Sequence, residues 1–148
     1  MEQRLKGCLL SYMIQNSPEL LMALQEDQKV SEYIDQKITL IGPLMDKLIR
    51  EEIAPREVEK ACLKALTDDL KPSRFHFIAR MLEKEFPHYY QRLAEAGTLT
   101  LEITNIISTT IELFDTFEFT EQSDKDTAFL YALKNAIFHY FKKYGTIG

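Results

Sequence analysis

Residues 98–114, TLTLEITNIISTTIELF, decide the fold class. Their β-branched side chains, Ile103, Thr104, Ile106, Ile107, Thr109, Thr110 and Ile111, favour a strand by propensity. Their spacing points the other way. Leu99, Ile103, Ile106, Ile107, Thr110 and Phe114 repeat at a helical period over a length unusual for a strand. No second strand-like stretch exists to pair with this one, and a lone strand leaves its backbone N–H and C=O groups without partners. The stretch therefore reads as helix, and the chain as all-α.

Toward the C-terminus, Phe117-Glu118-Phe119 reads as an extended segment with both aromatics on one side. A polar turn then leads into a last helix from about Asp124 to Tyr144, with Lys142 and Lys143 set against the dipole and Gly145 closing it. Its core stripe is Leu130, Leu133, Ile137, Phe141 and Tyr144. Toward the N-terminus, Pro87 starts a short helix that Gly97 stops. Ser73 caps a helix reaching Phe86, buried through Phe75, Ile78, Ala79, Leu82 and Phe86, and Asp68-Asp69 through Pro72 forms the turn before it. Ala54-Pro55 opens another helix, carried by Val58, Ala61, Cys62 and Ala65.

Residues 28–51 hold the cleanest stripe, Val30, Ile34, Ile38, Ile41, Met45 and Leu48. The phase survives Gly42-Pro43, which predicts one long helix kinked there in preference to a break. Arg4 to Gln15 places Leu5, Cys8, Leu9 and Tyr12 on one face, and Ser17-Pro18 starts a short helix through Leu24. With no linker and no internal repeat, residues 1–148 read as a single compact bundle of about six or seven helices.

The 148 residues carry 18 Lys plus Arg against 23 Asp plus Glu, a net charge of −5 that works against holding nucleic acid by phosphate neutralisation. Two cysteines are too few for a disulfide scaffold, so Cys8 and Cys62 read as reduced, buried thiols. The longest apolar region, Ile38 to Met45, is broken by Thr39, Gly42 and Pro43 and falls far short of the roughly 20 residues that cross a bilayer. Leu5-Lys6-Gly7-Cys8 imitates a lipoprotein cleavage site, but no apolar segment precedes it. A cytoplasmic protein with no membrane attachment is expected.

Signatures of chemistry are sparse. His76, His88 and His139 are scattered. Glu85 and His88 match the Glu-x-x-His spacing of di-iron bundles, but Pro87 separates them and the element occurs once. Asp115, Glu118, Glu121, Asp124 and Asp126 lack the glycine of a calcium loop, and capping explains Asp124 and Asp126. No phosphate loop, nucleophile elbow or Cys-x-x-Cys appears. The expectation is no catalytic residue, no metal and no cofactor, with an enzyme ranked third among the functional readings.

Two contact surfaces stand out. Phe77 and Met81 lie between Arg80 and Lys84, and Tyr131 and Phe138 lie in the sector of Lys134, Asn135 and Lys142, off the core stripe. Helices apolar on more than one face sit centrally in a bundle or carry a contact surface. These four residues are the candidates for a protein partner or a second copy. The alternative is DNA binding by a helix-turn-helix-like pair, 55–67 and 73–85, using Lys71, Arg74, His76, Arg80 and Lys84. Glu83, Glu85, Asp68 and Asp69 weigh against that.

The motif order adds a resemblance. Leu10-Ser11-Tyr12-Met13 with Pro18; Ala61, Ala65, Leu66 and Leu70; Ser73 with Phe75 and Glu85-Phe86; then Phe114, the Phe117 and Phe119 pair, and Leu130-Tyr131 with Leu133, Ile137 and Tyr140 resemble a small all-helical bacterial family of unknown function, often encoded on conjugative elements of Bacteroides-type bacteria. The resemblance implies a helical fold and a bacterial cytoplasmic setting. It implies no activity and no site residue. The leading reading, drawn from the residues, is a non-catalytic accessory or protein–protein interaction protein, with Tyr131/Phe138 or Phe77/Met81 as the surface for a partner or for self-association.

Overall fold

A computed structural model describes residues 1–144. Among these residues the regular structure is nine α-helices and two 3₁₀ turns, with no strand. The chain is all-α, and residues 98–114 follow their spacing over their propensity. The sequence reads as one domain over residues 1–148; the folded chain divides into two compact units, Met1–Lys71 and Pro72–Gly148, each with a core of its own.

The first unit contains α1 (Glu2–Asn16), α2 (Pro18–Glu26), α3 (Val30–Arg50) and α4 (Pro55–Thr67), followed by a 3₁₀ turn, Asp68–Leu70. α1, α3 and α4 pack on one another. α3 buries Ile34, Ile38, Ile41 and Met45, the centre of the expected stripe. It runs unbroken through Gly42-Pro43, because the apolar phase on both sides faces the same core. Pro43 and Thr39 lie on the exposed side, so water can take the carbonyl that the missing N–H leaves unbonded. α1 corrects its predicted face. Leu5, Leu9 and Met13 are fully buried, and Cys8 and Tyr12 sit half-buried at the edge of that row. Lys37 Nζ holds both carboxylate oxygens of Asp69 at 2.7 Å, tying α3 to the turn after α4.

The second unit contains α5 (Arg74–Glu85), α6 (Pro87–Ala96), α7 (Leu99–Thr109), α8 (Ile111–Thr116), a 3₁₀ turn (Ser123–Lys125) and α9 (Thr127–Tyr144). The expected single helix over 98–114 is divided at Thr110. That hydroxyl donates back to the Ile106 carbonyl at 2.8 Å, and the Thr110 N–H turns to Ile107 in a 3₁₀ bond. Such local bonds compete with the helical ladder.

Phe117-Glu118-Phe119 is a turn, not an extended segment: Glu118 has φ 50°, and the Phe119 N–H bonds to the Phe114 carbonyl. Both rings still reach one core, at 5.5 and 6.1 Å from Phe129. Phe129, outside the predicted stripe, is fully buried, whereas Tyr144, inside it, is exposed. Gly145 lies outside the described residues.

Candidate functional site

α5 owes its position to its two ends. Ser73 caps it, its hydroxyl accepting the His76 N–H at 3.1 Å, and Pro87 starts α6 directly after Phe86. Between these limits α5 is buried on two sides. Ile78 and Leu82 are fully enclosed. Phe77 packs on Phe119 at 5.2 Å and on Phe129 at 5.6 Å. Phe77 and Met81, expected as contact residues, are each only 8% exposed and belong to the core. The aromatics that cover Phe77 lie far along the chain, beyond the reach of helical spacing on α5.

A groove of about 620 Å³ opens between α5 and the start of α9. Phe77, Met81 and Leu130 form its apolar floor. Arg80, Lys84 and Glu85 border it on α5, Tyr131 and Lys134 on α9, and Asp124 on the preceding turn. Lys134 Nζ and Glu85 meet across it at 3.0 Å. Arg80 and Lys84 are exposed and have no ion pair among the described residues. Tyr131 is 72% exposed, and Phe138, two turns further along α9, is 54% exposed.

The structure thus joins part of each predicted set. Arg80 and Lys84 from the nucleic-acid candidates and Tyr131 from the contact candidates edge one groove. The other cations are engaged elsewhere. Arg74 pairs with Asp115 at 3.7 Å and lies 4.9 Å over the Phe114 ring. Lys71 belongs to the first unit and lies 5.9 Å over the Tyr12 ring. His76 is exposed and meets Phe75 edge-on at 5.5 Å. α4 packs on α1 and α3, and α5 on α6 and α7, so the two helices of the predicted helix-turn-helix belong to different units. Leu130, Glu85 and Asp124 are groove residues that no sequence signal marks, since nothing in helical periodicity pairs α5 with α9.

The remaining polar features are structural in character. Tyr140 donates its hydroxyl to Glu102, linking α9 to α7; burial first, then the Glu102 hydrogen bond and charge, raise the phenol far above its usual range. Cys8 and Cys62 are free thiols, and burial pushes the Cys62 thiol up. A cleft of about 790 Å³ at the start of α1 and α4 is larger than the groove, but its lining alternates Arg4, Arg56 and Lys60 with Glu57 and Glu59. Arg4 and Glu59 already pair there at 3.7 Å. Among the described residues no three His, Cys, Asp or Glu side chains gather as a metal site would require, and no helix is long and apolar enough to cross a membrane.

Fold and groove together define an all-α protein whose second unit carries a groove with an apolar floor and a charged rim. No family model matches the chain, and no curated protein or solved structure matches it.

Proposed function

We propose that the chain is a non-catalytic interaction protein of the cytoplasm that receives a partner at the α5–α9 surface. The carrying observation is the apolar floor of Phe77, Met81 and Leu130 directly beside two exposed, unpaired cations, Arg80 and Lys84. A partner that fits this chemistry brings an apolar side chain to the floor and a carboxylate to the rim. Tyr131 beside Arg80 supplies the residue types that anchor interfaces. Two free cysteines support a reducing compartment, and the resemblance supports a bacterial one.

Anilinonaphthalene sulfonate, an aromatic body with one anionic group, tests the groove directly. The folded chain is expected to bind it saturably, and Arg80→Glu/Lys84→Glu to weaken binding about tenfold by removing both charge-assisted contacts. Circular dichroism checks that the variant stays folded. Undiminished binding in that variant would overturn the reading.

A second reading, DNA contact through α5, is favoured by the same two cations, one helical turn apart and exposed. It requires an affinity that falls steeply with salt and disappears in the same variant. No shift of mixed duplex DNA at low salt ends it.

A further inference from the structure

We infer that the exposed face of α9 beside this groove, which shares Tyr131 with it, pairs with the same face of a second copy of the chain in antiparallel register. The inference rests on the contact reading above and names the occupant of its α9 edge. Tyr131, Asn135, Phe138 and Lys142 recur at i, i+4, i+7 and i+11, and all four are exposed. They form one stripe on the side of α9 away from the buried Phe129, Leu133 and Ile137. The two aromatics stand about 10 Å apart along the axis, at 1.5 Å per residue.

A two-fold interface must be self-complementary, residue i meeting j while j meets i. An axis passing between Lys134 and Asn135 meets that condition. It sets Tyr131 of each copy against Phe138 of the other, with Asn135, short and uncharged, beside the axis. Lys134 is drawn aside, already paired with Glu85 at 3.0 Å. The same register brings the Lys142 and Lys143 end of one helix to the Asp124 and Asp126 end of the other, opposite charges at opposite dipole ends. A parallel pairing would place Lys142 on Lys142. Leu40, 78% exposed, lies instead among Glu32, Asp35, Gln36 and Thr39, and an exposed apolar residue in a polar setting is ordinary.

Light scattering over a dilution series, on the full chain, reads the outcome. The native chain is expected to show a dimer mass that falls about twofold on dilution, and Phe138→Asp to show the monomer mass throughout with unchanged circular dichroism. Asn135→Cys, close to its own mate at the axis, is expected to form a covalent dimer under mild oxidation. Thr127→Cys, distant from its mate, should give no more than the background of the native thiols. A native chain that is monomeric at every concentration, a dimer indifferent to Phe138→Asp, or equal cross-linking of the two cysteine variants each overturns the pairing. If the chain stays monomeric but binds the sulfonate probe through Arg80 and Lys84, the pairing fails while the interaction reading stands.

Discussion

At the scale of single residues, four helices end by the same device. The N–H groups of Lys29, Ile53, Thr98 and Phe119 reach back five residues to the carbonyls of Leu24, Leu48, Leu93 and Phe114, at 2.8 to 3.1 Å. Each closure needs the residue before it in the left-handed region. Gly97, at φ 74°, adopts it without penalty. Gln28, Glu52 and Glu118, at 57°, 58° and 50°, do not; an L side chain there costs about 1–2 kcal/mol. Glu52 is exposed and unpaired among the described residues, so Glu52→Gly is expected to stabilise the chain by about 0.5–1 kcal/mol after the added freedom of the unfolded glycine is subtracted. Gly97→Ala should destabilise by about 1 kcal/mol through backbone strain alone, since a Cβ there meets nothing within 4 Å. Urea midpoints at constant slope measure both, and a loss of stability in Glu52→Gly contradicts the strain. These caps also mark a limit of legibility. A glycine announces its turn in the sequence, whereas glutamate at 118 announces nothing, and the segment around it reads as extended.

At the scale of elements, periodicity carries far because each core stripe is a local property of one helix. α3 shows the strength of that signal. The stripe through Ile38, Ile41 and Met45 keeps it continuous against a proline penalty of about 3 kcal/mol. Pro43 is exposed, so Pro43→Ala removes no buried contact and restores an N–H donor to the Thr39 carbonyl. It is expected to stabilise the fold by about 1–3 kcal/mol, visible as a raised urea midpoint; an unchanged midpoint would mean that the proline is compensated in the folded state. The site is less legible than the helices for a related reason. Tyr131 and Phe138 stand out because they break the stripe of their own helix. Phe77 and Met81 break theirs equally, but Phe119 and Phe129, remote in sequence, help to enclose Phe77. Helical spacing flags an apolar residue off its stripe; only the tertiary fold says whether something covers it.

At the scale of the whole molecule, composition divides as the contacts do. All nine phenylalanines follow Pro72, and both cysteines precede Lys71. The buried core of the first unit is aliphatic apart from Met13, Met45 and Cys62, whereas that of the second gathers Phe77, Phe114, Phe129 and Phe141. The division falls in the stretch that reads from sequence as a mere turn, Asp68 to Pro72, because a turn inside one core and a turn between two cores share the same letters. Each unit has about the size at which one core supplies only about 3–5 kcal/mol, so the two are expected to open at different denaturant concentrations. The residues provide a separate reporter for each. Phenylalanine fine structure in near-ultraviolet circular dichroism follows the second unit alone. Reaction of the Cys62 thiol, buried and with its pKa pushed up by that burial, follows the first, with Cys8, half-buried, expected to react ahead of it. Urea titrations read both ways should give two midpoints. Coincident transitions would show one cooperative molecule in place of two, since agreement between independent probes is the mark of all-or-none unfolding.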